Sequence, residues 1–351
     1  MAQLVGVSRQ TIYAMEAASY VPNTAVALKL AHALEVGVED LFALPETVPT
    51  RPLGTERAVL LPAGETPLPG QPVQLCRIER RLIASAPSPM PWYFPLSDGI
   101  LSGPSRRGAA RVQVFAADTD FGSRLLVGGC DPGISVLARH AQAAGIELVL
   151  AHRNSSQALR LLKEGCLHIA GTHLRDETSG ESNLPAISRM FPKHKIAVVT
   201  FAVWEEGIVT ARGNPKAIRG IEDLARPGIS IVNRESGSGS RALLDAHLKR
   251  LGISVRGVRG YEREIHGHLP AAWHVQIGAA DCCIATAGAA RLFGLGFIPL
   301  VSERYDLAIP RQRLKAPAVQ HLLDILSLSR FRRELEGLGG YDTSDTGRRM
   351  L

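Results

Sequence analysis

Residues 125–351 alternate between short apolar runs and amphipathic stretches, and this alternation constrains the fold more than any other feature. The first segments read LLVGGC, GISVLARHAQAAG, IELVLAH, SSQALRLLKEG and LHIAG. Short apolar runs are typical of buried strands, whereas apolar residues every three or four positions are typical of helices. Strands and helices that alternate at this spacing form βαβ units with a largely parallel sheet. We therefore predict an α/β fold here.

Composition divides the rest of the chain into two further zones. Residues 1–44 are helical in pattern, with few strand signals. Residues 45–124 are rich in proline and hold short β-branched runs, of which VQLCRIERRLIAS suits a pair of strands. We predict a partial all-α domain over 1–44, a linker with a small β-rich module over 45–124, and the α/β domain over 125–351.

Several classes of protein are excluded by composition. With 351 residues and 45% hydrophobic residues, the chain is too apolar to be disordered. No apolar run reaches the roughly 18 residues of a membrane span, and the start lacks the pattern of a signal peptide. The five cysteines contain no C-x-x-C pair, which argues against a disulfide framework and favours a reducing compartment. We expect a cytoplasmic protein with no membrane partner.

The net charge of +7 indicates an acidic partner such as nucleic acid. The first fifty residues, however, carry two basic and five acidic residues, a balance of −3. The surplus therefore lies elsewhere, notably in six arginines between Arg77 and Arg111, which are equally typical of a solvated surface.

Near the start, LVGVSRQTIYAMEAA has the spacing of the turn and second helix of a helix-turn-helix. Gly6 supplies the left-handed turn residue that this unit needs, and Ser8 is suited to cap the following helix. Arginine and glutamine on the leading face of that helix are the side chains that bind guanine and adenine edges. The predicted DNA-contacting residues are Ser8, Arg9, Gln10 and Tyr13.

The helices that follow make this pattern more specific. The string GVSRQTIYAMEAASYVPNTAVALKLAHALEVGVEDLF resembles the Xre/Cro family of helix-turn-helix regulators nearly throughout. That family implies operator DNA as a partner, bound by a homodimer at paired half-sites. Its members carry a further helix in front, so we expect a truncated chain or a misassigned start. In the third helix we expect a buried stripe formed by Ala27, Leu28, Ala31 and Leu34. A helical cap that packs on the rest of the chain is the alternative.

A Ser/Gly loop in the C-terminal half is the strongest ligand-binding signal. In ISIVNRESGSGSRALLDAHLKRLG, a strand runs through this loop into an amphipathic helix. The free N–H groups of the helix start and the serine hydroxyls suit an anion, and Arg241 adds positive charge. An ordinary helix cap with a flexible loop is the alternative. The predicted ligand-binding residues here are Ser236, Gly237, Ser238, Gly239, Ser240 and Arg241.

Two more helix starts follow strands. Asn154, Ser155 and Ser156 open one helix and are predicted ligand contacts, because open α/β sheets bind ligands at the carboxyl ends of their strands. Asp131 begins another, where we expect it to cap the helix. No catalytic signature accompanies these loops, since both the G-x-S-x-G nucleophile elbow and the G-K-[ST] of a phosphate-binding loop are missing. We expect no catalytic residues and no enzyme activity.

The strings GCDPG, GTH, GNP, IEDLARPGISIVNRESGSGSR, GYERE and GAAD make the α/β domain similar to the periplasmic-binding-protein-like domain of bacterial regulators. The resemblance implies a two-lobed type II fold related to molybdate-binding proteins, in which His268 lines the cleft beside the loops named above. His173 is a further predicted ligand-binding residue, as a donor in the pocket. It also implies two long strands that join lobe one (125–203 and 287–351) to lobe two (204–286). IAVVTFAVWEEGIVTA suits the first crossing, and we expect the return near DCCIATAGAA.

Three histidines are candidate metal ligands by residue type. His173, His266 and His268 lack a recognisable zinc spacing such as H-E-x-x-H, so we expect no metal site and no cofactor.

Together these patterns predict a one-component transcription regulator that senses a small anion. A tetrahedral oxyanion such as molybdate or tungstate fits uncharged donors at helix starts, and so does an organic acid. The alternative is a soluble ligand-binding or molybdenum-related accessory protein that does not bind DNA.

Overall fold

The computed structural model describes residues 2–16, 22–42, 55–62, 72–85, 96–103, 109–116, 119–176, 179–192 and 195–351. The chain separates into two compact units, Met1–Leu53 and Gly54–Leu351. Of the six arginines between Arg77 and Arg111, Arg106 and Arg107 lie outside the described residues. Among those described, none of the helices combines the length and apolar character that a bilayer crossing requires.

The first unit is helical. Its elements are α1 (Ala2–Val5), α2 (Arg9–Glu16), α3 (Thr24–Leu34) and α4 (Val38–Leu41). Gly6 turns the chain between α1 and α2 with a φ of 78°, which favours glycine. The Ser8 hydroxyl accepts the Thr11 N–H at 3.0 Å and so caps α2. The turn and the cap lie where the sequence pattern predicts them.

The buried stripe of α3 differs from the prediction. Leu28 is 56% exposed and Leu34 is 43% exposed, whereas Leu30 is buried together with Ala27 and Ala31. The apolar residues of α3 surround the helix on several sides, so their spacing alone did not single out the face that packs against α1.

The second unit begins with a closed five-stranded barrel. Its strands are β1 (Thr55–Leu60), β2 (Pro72–Ile78), β3 (Arg81–Ser85), β4 (Gly99–Leu101) and β5 (Ala109–Val114). Around the barrel they follow the order β1-β3-β2-β4-β5. β2 and β3 pair antiparallel, which confirms the predicted strand pair. Residues of β2 and β3 also share an apolar core with the sheet that follows, so the barrel packs directly on it.

Residues beyond the barrel form a nine-stranded sheet covered by helices, and this arrangement confirms the α/β fold. The strands are β6 (Leu125–Gly129), β7 (Leu148–His152), β8 (Ile169–Thr172), β9 (Ile196–Thr210), β10 (Ile231–Arg234), β11 (Glu264–Ile265), β12 (Cys282–Thr286), β13 (Gly296–Pro310) and β14 (Tyr341–Asp342). The helices are α5 (Ile134–Ala143), α6 (Ser155–Lys163), α7 (Leu184–Met190), α8 (Gly239–Arg250), α9 (His268–Gln276), α10 (Ala287–Leu292), α11 (Pro317–Leu326) and α12 (Ser329–Gly337). The strand order is β11-β10-β12-β9-β13-β8-β6-β7, and β14 pairs with β9.

Two long strands run through both lobes of this sheet. β9 and β13 pair antiparallel from Gly296 opposite Thr210 to Pro310 opposite Ile196. At one end β13 pairs with β8 of lobe one, and at the other end β9 pairs with β12 of lobe two. The two strands therefore connect the lobes and form the hinge between them.

The return strand does not lie where the sequence pattern suggested. The segment Cys282–Thr286 is a short strand inside lobe two, parallel to β10, and α10 packs in the core of the same lobe. The crossing back is made by Gly296–Pro310. Charged residues such as Glu303 and Asp306 interrupt the apolar pattern of β13, and they are buried only because the folded structure supplies partners for them.

We predict that Gly171→Ala destabilises the protein by about 1–3 kcal/mol, the usual cost of overpacking a core. A Cβ at Gly171 would overlap the ring and hydroxyl of Tyr305, which is fully buried and accepts the Cys130 N–H at 3.3 Å. Gly257→Ala is the control, because no atom lies within 4 Å of its added Cβ. Urea unfolding of both variants tests this, and equal midpoints would contradict it.

Candidate functional site

Three helices from both lobes begin at one place in the second unit. Asn154 caps α6 of lobe one by accepting the Gln157 N–H at 3.0 Å. Its Nδ2 donates to the Ser236 carbonyl oxygen at 3.3 Å, in the loop that leads into α8 of lobe two. α9 begins beside them at His268, which is fully buried. The first turn of a helix has N–H groups without intrahelical partners, so this convergence concentrates donors between the lobes.

The lobes are in direct contact across this cleft. Gly239, the first residue of α8, lies so close to His173 that an added Cβ would stand 2.5 Å from ring atom Cε1. His173 follows β8, and its N–H donates to the Ser155 hydroxyl at 3.0 Å. Glycine is therefore required at position 239 by close approach, and the structure is the closed form of the cleft.

Acidic residues on the two hinge strands complete the cluster. His173 Nδ1 lies 2.6 Å from Glu303 Oε2 on β13. The Ser240 hydroxyl donates to Glu206 Oε1 on β9, and His268 Nδ1 stands 3.8 Å from the same oxygen. The hinge thus contributes two carboxylates to a site whose other members come from the lobes.

Aromatic rings enclose the two histidines. Trp204 meets the ring of His173 edge-on at 4.9 Å between centroids and that of His268 at 5.3 Å. Tyr305 stacks on His173 at 6.0 Å. Because all of these residues are buried, charges in the cluster are shielded from water and interact strongly.

Burial changes the protonation of the cluster. Burial and the neighbouring Glu303 carboxylate raise the pKa of Glu206 to about 7, and burial raises the pKa of Asp131 to about 6. Burial and the nearby Arg234 hold the pKa of His268 well below its usual value. Burial alone lowers the pKa of His173, but Cys130 and Glu303 outweigh it and raise that pKa well above the usual range.

Several buried polar atoms of the cluster lack a hydrogen-bond partner among the described residues. They are His173 Nε2, both ring nitrogens of His268, Glu206 Oε2, Asp131 Oδ2 and Trp204 Nε1. Leaving such groups unpaired costs about 1–3 kcal/mol each, so a concentration of them in one place marks a site for a bound group.

The structure brings most of the predicted ligand-binding residues to this cleft, in different roles. Asn154, Ser155, His173, Gly239, Ser240 and His268 lie in the buried cluster. Ser156 and Gly237 face each other at its edge, where a Cβ on Gly237 would lie 3.9 Å from that of Ser156. Ser238 uses its hydroxyl to cap α8, and the exposed Ser236 contributes its carbonyl oxygen.

Arg241 differs from the prediction. It turns away from the cluster, since its guanidinium bonds Glu264 at 2.7 Å and lies 4.4 Å from the ring centre of Tyr261. Asp131 caps the start of α5 as predicted, because its carboxylate accepts the Gly133 N–H at 2.7 Å. It also accepts the Tyr341 hydroxyl at 2.5 Å, deep in the core.

Sequence reasoning missed the charged residues of the site. The buried cation is Arg234, which forms a two-pronged ion pair with Glu235 at 2.9 and 3.1 Å. Glu206 and Glu303 were missed as well, although Glu206 stands in a long run that has mostly the pattern of a buried strand. A charge inside such a run is the signal that would have found Glu206.

In the first unit, the predicted DNA-contacting residues lie on one accessible surface. Arg9 and Gln10 are exposed in the first turn of α2, and Tyr13 is 70% exposed one turn later. Ser8 is exposed, and its hydroxyl caps α2 by accepting the Thr11 N–H.

Each of the two units matches a known protein family. The family described as the PBP superfamily domain matches residues 138–327, and the helix-turn-helix family matches residues 1–41. The uncharacterized protein YvgK of Bacillus subtilis is 33% identical over 255 residues, which is 72% of this chain and 81% of YvgK. The uncharacterized HTH-type transcriptional regulator YgzD of the same organism is 44% identical over 46 residues, 13% of this chain and 70% of YgzD.

A solved structure agrees with the fold. The sulfate-binding protein SubI from Mycobacterium tuberculosis H37Rv superposes with a TM-score of 0.51 at 17% sequence identity. The match covers 64% of this chain and 88% of SubI. Likeness at this level of identity concerns the fold alone.

We predict that Arg234→Met lowers the free energy of unfolding by about 3–5 kcal/mol, because Glu235 is left as an unpaired buried charge. Adding Glu235→Leu should recover a large part of that loss. Arg348→Met, which breaks an exposed ion pair with Asp345, is the control and should change little. Urea unfolding compares the variants, and a double variant no more stable than Arg234→Met would contradict the prediction.

Proposed function

We propose that this chain, which belongs to the PBP superfamily and begins with a helix-turn-helix, is a one-component transcription regulator. In this proposal the first unit binds operator DNA as part of a homodimer, and the second unit binds a small ligand between its lobes. A regulator of this kind acts on chromosomal DNA, so we place it in the cytoplasm. All five cysteines are free, which agrees with a reducing compartment.

One observation carries the ligand-sensing part of the proposal. Helix starts from opposite lobes meet in a single buried cluster, where Asn154 of lobe one bonds the Ser236 carbonyl of lobe two. A ligand held there contacts both lobes and therefore favours the closed form over the open one. In a dimer this preference would bias the spacing of the two DNA-binding units, with a coupling of about 1–3 kcal/mol.

We propose a small anion as the ligand, with the tetrahedral oxyanions molybdate and tungstate as first candidates. The first turns of α6, α8 and α9 favour negative charge through their N–H groups and dipoles. Protonated His173 adds positive charge, and Glu206, with a pKa of about 7, can carry a proton and donate it in a hydrogen bond. Both features reduce the repulsion that buried carboxylates would otherwise exert on an anion.

We predict that Ser240→Ala weakens anion binding by the second unit. The Ser240 hydroxyl lies in the first turn of α8 within the buried cluster, where it donates to Glu206 and would turn to a bound anion when Glu206 is protonated. Its loss should therefore weaken anion binding about tenfold or more, the usual effect of removing a hydrogen bond to a charged group. Ser327→Ala, an exposed serine at the end of α11, is the matched control. Isothermal titration with molybdate, tungstate, sulfate and a carboxylic acid measures both. If none of these anions binds the wild-type chain, the anion proposal fails.

We predict that Arg9→Ala combined with Gln10→Ala weakens sequence-specific DNA binding. Loss of two base-contacting side chains should weaken specific binding by about 1–3 kcal/mol for each contact, with less effect on nonspecific DNA. Lys29→Ala removes one positive charge from an exposed position of α3 and is the control. Selection from a random duplex library, followed by fluorescence anisotropy, measures the effect. A wild-type chain that selects no sequence would favour the accessory-protein alternative, which binds its ligand but not DNA.

A further inference from the structure

We propose that the closed cleft binds a transition-metal ion of the zinc type through Cys130, His173, His268 and Glu206. Cys130 and His173 belong to lobe one, His268 belongs to lobe two, and Glu206 lies on the hinge strand β9. The site goes beyond the proposed function, because it depends only on metal binding by the second unit and not on DNA or on the identity of an anion.

Three of the four side chains have the spacing of a metal site. Ligand atoms of Cys130, His173 and His268 all lie within 4.8 Å of one another. Glu206 adds a carboxylate oxygen 3.8 Å from His268 Nδ1. With metal–ligand bonds of about 2.0–2.3 Å, the ligand atoms of a tetrahedral zinc site lie about 3.3–3.8 Å apart. The ligand atoms of Cys130, His173 and His268, which lie up to 4.8 Å apart, would therefore have to approach one another by roughly 1 Å to hold an ion.

The ligand atoms are available for a metal. His173 Nδ1 is taken by Glu303, which leaves Nε2 without a partner among the described residues. A carboxylate behind a histidine is the usual outer support of a zinc ligand, because it fixes the ring and its tautomer. Both nitrogens of His268 and one oxygen of Glu206 are also unpartnered in the described part of the chain.

The chemistry of the set selects the type of metal. Thiolate and imidazole are preferred by zinc and its neighbours in the first transition row, whereas magnesium and calcium prefer oxygen ligands throughout. A divalent ion would also balance the carboxylates of Glu206 and Glu303, since the buried cation Arg234 is already paired with Glu235. The cluster therefore supplies soft ligands, negative charge and burial together.

The position of the site gives metal binding a consequence for the fold. Since the ligands come from both lobes and from the hinge, a bound ion would hold the cleft in the closed form. It would also place positive charge beside the first turns of α6 and α8, which strengthens the attraction of an anion to the same cleft.

The test titrates the full chain, stripped of metal with a chelator and kept reduced, with Zn²⁺ by calorimetry and with Co²⁺ by absorption spectroscopy. We expect one Zn²⁺ per chain. With Co²⁺ we expect the visible bands of a tetrahedral ion and a thiolate-to-cobalt charge-transfer band. Cys130→Ser should abolish the charge-transfer band, and His268→Asn should weaken zinc binding about 100-fold or more. Glu303→Gln, acting through His173, should weaken it about tenfold.

Controls remove the same residue types from outside the cluster. Cys166→Ser alters a buried cysteine of lobe one, and His274→Asn alters a histidine of the same helix as His268. Both should bind zinc like the wild-type chain. Thermal unfolding without metal identifies any variant that fails to fold. For such a variant, the presence or absence of the thiolate-to-cobalt band in the wild-type spectrum decides whether the metal site exists. A wild-type spectrum without the thiolate band, or zinc affinity unchanged in both Cys130→Ser and His268→Asn, would overturn the site. Anion and DNA binding are measured separately on the zinc-free chain, so their failure is distinguishable from failure of the metal site.

Discussion

The pairing of β9 with β13 is the interaction on which the second unit depends. Each strand is fifteen residues long, and the two pair antiparallel along their whole length, from one lobe to the other. The register of the pairing shifts at two places. One half of the ladder extends the sheet of lobe one and the other half extends that of lobe two. The lobes can therefore move only by bending these strands, and residues at the middle of the ladder belong to both lobes.

That middle is where the structure places its buried charges. Glu303 pairs across the ladder with Trp204, and Glu206 lies two positions further along β9. Burying an ion costs several kcal/mol unless it is paired and hydrogen-bonded. His173 partners Glu303, Ser240 partners Glu206, and Arg234 partners Glu235, so most of this cost is offset within the cluster. Among the unpaired atoms of the described residues, those of His173 and His268 lie close together, and this makes the cleft a candidate site for a bound group.

The helix starts and the buried side chains serve the same cleft in different ways. First-turn N–H groups favour negative charge, while a thiol, two imidazoles and a carboxylate favour a metal ion. The two are compatible, because a bound cation would replace the proton of His173 as the positive charge that draws an anion toward the cleft. In both cases occupancy would join the lobes, and closure is the conformational change that a sensor can transmit to a DNA-binding unit.

The sequence by itself determined the local structure. Alternating apolar runs predicted the α/β sheet, and polar residues before amphipathic stretches located the cap at Ser8 and the starts of the helices that follow Asn154 and Ser238. These features depend on neighbours a few positions apart in the chain. Tertiary structure alone decided which strand returns between the lobes, where Arg241 points, and which buried residues meet at the hinge. Those outcomes depend on strand pairing between segments far apart in the chain, and short-range sequence patterns do not specify such pairing.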